Sequence, residues 1–395
     1  MRSVAASLLT DISGLADDML DHLTQRIPEI GADAELRGLT LGSCSSNLEA
    51  ALSMVRHGID VTAAEAPVTA LEHARAMASR GHSVDVMLRF YRLGHQFFVV
   101  KFAEAIAARV DDPTRALDVY LEMESFGFQY IDRISTLVAS EYVAELDRRQ
   151  NLDRAERGDV VRALLASERV NLGRAERVLG HVLTGRQLGF VCWAADSRVD
   201  LAGVAQRLAL DVGAERALIV SDGPRAVWGW VALTADPGTA LTDVHLGDDV
   251  HLAFGSIHLG AAGFRASHLE ALRTRRIVEL AGWSAPSVTA FGDVALVDVM
   301  SRDLGAARAF VQARLGELAS DDQRSAAERA ALLAFLAAQG SLKAAAAALG
   351  VHRNTVLHRV RRAEQRLGAP VSTQLAEVHA ALKLCDVLGA STLRV

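Results

Sequence analysis

Ser341-Leu342-Lys343-Ala344-Ala345-Ala346-Ala347-Ala348-Leu349-Gly350-Val351-His352-Arg353-Asn354-Thr355-Val356-Leu357-His358-Arg359-Val360-Arg361-Arg362 is the stretch around which the chain of 395 residues is read. It predicts two short helices joined by a tight turn. Ser341 follows the breaker Gly340 and offers its hydroxyl to a backbone N–H left unpaired at a helix start. The alanines favour helix and carry little bulk, so a second helix can approach closely. Gly350 supplies the backbone freedom that a sharp turn needs. A second helix then starts near His352.

The faces of the second helix follow from its pitch. At about 100° per residue, Val360, Ala363 and Leu367 fall within about 40° of Val356 and form a buried stripe. Asn354, His358 and Arg361 lie near the opposite pole, with Thr355 and Arg362 beside them and Arg353 and Arg359 flanking the stripe. The outer face is therefore basic and amide-bearing. A basic helix face is ordinarily only solvated, but cap, small residues, turn glycine, apolar stripe and basic face agree here. Arginine and asparagine match guanine and adenine edges bidentately, and helix-start residues reach bases while later arginines hold phosphate. The expectation is that Arg353, Asn354, Thr355 and His358 touch base edges of double-stranded DNA. Lys343, Arg359, Arg361 and Arg362 are expected mainly to neutralise phosphate.

Gly350-Val351-His352-Arg353 followed by Asn354-Thr355-Val356-Leu357-His358-Arg359-Val360 resembles the C-terminal helix-turn-helix of the PucR/CdaR-type bacterial transcription regulators. Their pattern is glycine, apolar, His, Arg, Asn, Thr, apolar, any residue, Tyr, Arg, apolar; this chain has His358 at the tyrosine position. The resemblance implies a DNA-binding regulator.

Net charge is −6, which fits a local DNA-binding surface on an otherwise acidic body rather than a protein coated in nucleic acid. Cys44, Cys192 and Cys385 are far apart and form no C-x-x-C pair, so neither a disulfide framework nor a zinc site is expected. The N-terminus runs into a helix-like pattern without the apolar core of a signal peptide. The apolar tract from Ala330 to Gly350 is interrupted by Gln339, Gly340 and Lys343, so no membrane span is expected. A cytoplasmic location follows by elimination.

From Val4 to about Arg149 the pattern is helical, with Leu8, Ile12, Leu15, Met19 and Leu23 at three- and four-residue steps. Further stripes run from Val68 to Met77 and from Val84 to Ala107, and Asp112-Pro113 opens another helix. A helical bundle is expected over residues 1–140. Two aromatic clusters stand out in it, Met87 to Phe98 and Glu122 to Tyr130. Either could line an effector pocket for a small molecule, with Arg89, Tyr91, Arg92 and His95 as candidates. The alternative is plain core, with Arg89 and Arg92 paired to acids such as Glu122. Leu88-Arg89-Phe90-Tyr91-Arg92-Leu93-Gly94 resembles the helical N-terminal domain of RsbR-type stress-signalling proteins. Residues 141–166 read as a charged, exposed linker helix, either pairing with its copy in a dimer or simply connecting domains.

Residues 167–320 alternate. Leu188–Ala194 is a short apolar run, Val204–Leu210 is helical, and Arg216–Val220 and Ala226–Leu233 are strand-like around the turn Ser221-Asp222-Gly223-Pro224. His251–Ile257 predicts a strand, then a glycine-rich loop and a helix from about Ser267 to Leu280. The expected class is α/β or α+β. Phe254-Gly255-Ser256-Ile257 leading through Gly260 and Gly263 to Ser267-His268-Leu269-Glu270-Ala271-Leu272 resembles the degenerate, GGDEF-like cyclase domain of PucR/CdaR-type proteins. The tract Phe291-Gly292-Asp293-Val294-Ala295-Leu296 resembles the segment that follows it there.

Three chemistries are disfavoured in this domain. Gly255 and Gly260 have phosphate-loop spacing but are followed by Ala261-Ala262, without the required lysine and hydroxyl. Gly247-Asp248-Asp249-Val250 does not match the turn an active cyclase needs. His245, His251, His258 and His268 lack the spacing of a known metal set. No catalytic site, metal or cofactor is expected.

Residues 321–395 form the helix-turn-helix domain, with a support helix over Glu328–Ala338 and a last helix capped by Ser372 or Thr373. The whole reads as a multidomain, mostly α protein: helical bundle, central α/β domain, C-terminal helix-turn-helix. The expected function is sequence-specific DNA binding by a transcription regulator, as a homodimer or higher homo-oligomer, controlled by an effector or partner. The alternative is a signalling scaffold whose bundle binds a protein partner and whose last domain has little DNA affinity. A second rival, nucleotide turnover in the central domain, is disfavoured by the missing metal acids.

Overall fold

Caps and breakers cut the first third of the chain into helices. The computed structural model describes residues 1–235, 238–241, 244, 246–247, 249–282 and 286–393, and two units divide the chain, Met1–Ala155 and Glu156–Val395. In the first, α1 (Arg2–Leu8), α2 (Ile12–Arg26), α3 (Pro28–Gly31), α4 (Ala34–His57), α5 (Val68–Ser79) and α6 (Val84–Ala107) precede α7 (Pro113–Leu165), which ends in the second unit. The Asp33 carboxylate accepts from the N–H groups of Glu35 and Leu36 at the start of α4, and the Ser83 hydroxyl accepts from Val86 N–H at the start of α6. The core draws one stripe from each long helix, including Leu23, Leu52, Met77, Met87, Phe102 and Ile134. Long polar side chains tie the ends of the bundle. Arg133 donates to the Ala64 carbonyl at 2.6 Å, and the Tyr142 hydroxyl to the His82 carbonyl at 2.5 Å. Residues 141–166 fall almost entirely within α7.

The second unit opens with α8 (Leu172–Leu179), β1 (Arg186–Ala194), α9 (Leu201–Asp211), β2 (Leu218–Ser221) and β3 (Ala226–Leu233). It continues with β4 (Val250–Phe254), β5 (His258–Leu259), α10 (Gly260–Ala281) and β6 (Val288–Ala290). Among the described residues the strands form one mixed sheet in the order β2-β3-β1-β4-β6, with β5 paired to β1; β4 and β6 are parallel and the other pairs antiparallel. Central β1 is buried on both faces, so its alternate residues enter different cores. Leu188, Phe190 and Cys192 join Leu201, Ala205 and Leu208 of α9, whereas Val191 and Trp193 join Ala271 and Val278 of α10.

Two expectations for this region are corrected. The helix predicted from about Ser267 begins at Gly260, and the strand predicted through Ile257 stops at Phe254. Both follow from the closeness of α10 to the sheet. A Cβ on Gly255 would stand 1.9 Å from the Ser267 carbonyl oxygen, and one on Gly263 2.6 Å from the His258 carbonyl carbon. These glycines admit close packing rather than loosen a loop. The Ser256 N–H leaves the strand ladder and donates to the Glu270 carboxylate at 2.7 Å. An acidic group thus occupies a backbone N–H inside the Gly255/Gly260 segment.

The last helices are α11 (Phe291–Met300), α12 (Leu304–Leu315), α13 (Gln323–Ala337), α14 (Leu342–Leu349), α15 (Arg353–Leu367) and α16 (Leu375–Leu388). They share one apolar cluster, which also takes in Ile277 from α10. The motif helices α14 and α15 therefore rest on residues upstream of Asp321, among them Val294, Val297, Val311 and Leu315. The expected Thr373 cap is replaced by Gln374, which precedes α16 and makes no side-chain cap bond; the side chain of Ser372, the other expected cap, lies outside the described residues. The fold is mostly helical, with a bundle first, a small mixed sheet in the centre and the helix-turn-helix helices last.

Candidate nucleic-acid interface

Caps delimit α14 and the turn that leads from it into α15. The Ser341 hydroxyl accepts from the Ala344 N–H at 3.3 Å, and Gly350 closes α14 with φ 63°, in the left-handed region. His352 precedes α15, and its Nδ1 accepts from the Asn354 N–H at 3.2 Å. Val356, Val360 and Ala363 are buried, as are Ala345 and Ala346 on α14. The small alanines let the two helices close over a shared core with Leu332 of α13.

That packing sets the opposite face in solvent. Lys343, Arg353, Asn354, His358, Arg361 and Arg362 are exposed, while Thr355 and Arg359 are half-buried. Among the described residues Lys343, Arg353, Arg359 and Arg361 have no carboxylate within ion-pair distance. Arg362 differs, since its guanidinium reaches to 3.9 Å from Glu328 while remaining 54% exposed.

Glu328 was not singled out by sequence and is central to how α15 is held. Only 1% of its side chain is exposed. Arg366 donates to it at 2.8 Å and Arg324 at 3.3 Å. Arg366 also donates to the Ser325 hydroxyl and the Glu317 carbonyl, so this late arginine of α15 faces the body. A pairing between residues so far apart in sequence has no local signature.

The candidate effector residues separate. A cavity of about 50 Å³ inside the bundle is lined by Tyr91 and His95 among others. Arg89 and Arg92 do not line it; both are exposed on α6. At about 100° per residue His95 lies about 40° from Tyr91, but Arg92 lies about 100° and Arg89 about 160° away. Neither arginine forms an ion pair with Glu122 among the described residues. The second aromatic cluster contributes Gly127 and Tyr130 to the same cavity, and α4 adds Ser43 and Asn47, which no sequence feature had marked.

The central histidines are dispersed. His251 stacks on Trp193, His258 faces Glu270 at 3.1 Å, and His268 lies against Trp228 and Trp230. His245 and Asp248 lie outside the described residues. Among the described residues no group of three or more His, Cys, Asp or Glu side chains could hold a metal ion. Burial pushes the thiols of Cys44 and Cys192 up to about 12 and that of Cys385 to about 11, so none is poised as a thiolate. No helix among the described residues is long and apolar enough to cross a membrane.

A left-handed glycine turn, a shared apolar seam and an outward basic face together define a helix-turn-helix protein. Residues 329–384 match the PucR C-terminal helix-turn-helix domain, residues 166–277 the GGDEF-like domain, and residues 13–157 the RsbT co-antagonist protein rsbRD N-terminal domain. With these three domains in that order, the chain belongs to the PucR-type family of regulators. It is also similar to an uncharacterised protein in the pkwA 5′ region of Thermomonospora curvata, 30% identical over 143 residues, which are 36% of this chain and 78% of that one. Among solved structures, a regulator of polyketide synthase expression from Bifidobacterium adolescentis is 18% identical with a TM-score of 0.30, over 57% of this chain and 90% of that one.

Proposed function

We propose that this protein is a sequence-specific DNA-binding transcription regulator, with α15 in the major groove and its affinity governed by an effector acting on the N-terminal bundle. One observation carries the reading. Asn354, His358 and Arg361 project to solvent from the side of α15 opposite Val356, Val360 and Ala363, Arg353 is exposed on the flank, and among the described residues no acid pairs with Arg353 or Arg361. Arg353, Asn354, Thr355 and His358 are the base-contacting residues in this proposal. Lys343, Arg359, Arg361 and Arg362 hold phosphate. A single module gives little affinity, so paired half-sites bound by a homodimer or higher oligomer are part of it.

The test is selection of bound fragments from the host's sheared genomic DNA by the full-length protein, at two salt concentrations. Enrichment of a common sequence above competitor DNA is the expected result. Uniform retention of all fragments, or none, would remove the sequence-specific reading and favour the scaffold alternative.

A further inference from the structure

The cavity between α2, α4, α6 and α7 has a composition that restricts what can enter it. Met19, Leu48, Phe90, Phe98 and Ile131 make most of its wall. Among the described residues no Asp, Glu, Lys or Arg side chain lines it. Burial lowers the pKa of His95, with the Glu124 carboxylate pulling the other way, so its ring enters as a neutral group near pH 7. A charged occupant would meet no charged side chain on the wall itself, since Glu124 acts only on His95 from outside the lining, and would lose hydration that the wall does not replace.

Several polar groups at the cavity are hydrogen-bonded to one another. The Tyr130 hydroxyl donates to Asn47 Oδ1 at 3.2 Å, and Asn47 Nδ2 donates to the Ser43 carbonyl at 2.8 Å. Among the described residues the Tyr91 hydroxyl has no hydrogen-bond partner, although Tyr91 is only 3% exposed. Ser43 acts on it from nearby, but the geometry of a hydrogen bond is not met. Burial raises the pKa of this phenol beyond the ordinary range, so the group is a permanent O–H donor. A buried hydroxyl left unpaired costs about 1–3 kcal/mol, and native proteins satisfy most such groups.

Size completes the description. The cavity measures about 50 Å³. A water molecule's share of liquid volume is about 30 Å³, and a dry cavity of about 150 Å³ takes benzene. The space therefore suits a molecule of a few heavy atoms.

We propose that this cavity is the effector site, and that its ligand is a small neutral molecule of a few carbons with a hydroxyl or carbonyl oxygen that accepts the Tyr91 O–H. The proposal rests on the reading of the bundle as the controlling module and adds the ligand's chemical class. Tyr91 and His95 form the site with Tyr130, Asn47 and Ser43; Arg89 and Arg92 take no part.

The full-length chain labelled with 13C-methyl methionine tests it, because Met19 lines the cavity. Ethanol and acetone serve as hydroxyl and carbonyl probes, and propane as the hydrocarbon match of ethanol. Saturable movement of the Met19 methyl signal is expected with ethanol or acetone. Tyr91→Phe should weaken their binding by about fivefold, the equivalent of one hydrogen bond, and leave propane unaffected. The same variant should keep or raise the melting temperature of the unliganded protein, since it deletes an unpaired buried hydroxyl; a merely structural hydroxyl would lower it. Ala51→Ile, which fills the space, should abolish the Met19 response. Absence of saturation with every probe, or equal ethanol and acetone binding by wild type and Tyr91→Phe, overturns the proposal. Because Met19 is read without DNA, a protein that takes ethanol while its DNA retention is unchanged keeps the site and loses only the control reading.

Discussion

The Arg366 guanidinium lies 2.8 Å from the carboxylate of Glu328, a side chain only 1% exposed, and this pair joins the recognition helix to its support helix. Removing one partner of a buried pair leaves the other uncompensated, at a typical cost of about 3–5 kcal/mol. Arg366 is itself 20% exposed and Arg324 remains near Glu328, so the low end applies. Arg366→Met should destabilise the second unit by about 3 kcal/mol in urea unfolding. Folded Arg366→Met protein should keep the wild-type salt slope of DNA binding, because this arginine faces the body. A reduced slope would instead place it on phosphate.

Arg361 gives the opposite pattern. It is exposed and unpaired among the described residues, so its loss should leave stability within about 0.5 kcal/mol of wild type. Arg361→Ala should weaken binding to all duplexes and reduce the slope of log affinity against log salt by about one contact. Fluorescence anisotropy across a salt series measures both. An unaltered slope would take Arg361 off the DNA.

Asn354 stands in the first turn of α15 with its side chain in solvent. Asn354→Ala should lose about 1–3 kcal/mol of discrimination at one base pair. Competition between a selected site and its single-base variants reads this directly. Equal losses on every variant would assign Asn354 to phosphate.

Gly350 closes α14 at φ 63°, and a Cβ there would meet nothing within 4 Å. The cost of Gly350→Ala is therefore backbone strain alone, about 1 kcal/mol. Urea unfolding of the purified variant checks the figure. A cost near zero would mean that the turn relaxes into another conformation.

His268 carries the pH dependence. Among the described residues both of its ring nitrogens lack hydrogen-bond partners, and burial lowers its pKa to about 4. The unfolded chain, with an ordinary pKa near 6.5, binds the proton more readily, so stability is complete above pH about 6.5 and falls as pH drops towards 4. The loss from this residue across that window is on the order of 3 kcal/mol. His268→Phe should flatten the decline of the urea midpoint between pH 6.5 and 4. His73, lowered to about 4 by burial in the other unit, should make a similar contribution there. A His268→Phe profile parallel to wild type would show that His268 is protonated without penalty.

The sequence determined the features whose causes are local. Ser341, Gly350 and the spacing of Val356, Val360 and Ala363 specify two helices, their turn and the buried side of the second. Each depends on residues within one or two turns of chain, and the structure has them as read. The bundle helices were legible for the same reason, down to the Val84–Ala107 helix. Tertiary structure decided what depends on distant neighbours. Helical pitch puts Tyr91 and His95 on one side and Arg89 and Arg92 on others, but only the packing of α2, α4 and α7 makes the first side a cavity wall. The glycines before Ser267 looked like a loop because composition does not reveal that a strand backbone lies against them. Nor does sequence pair Arg366 with Glu328, because burying that carboxylate requires α13 and α15 to meet.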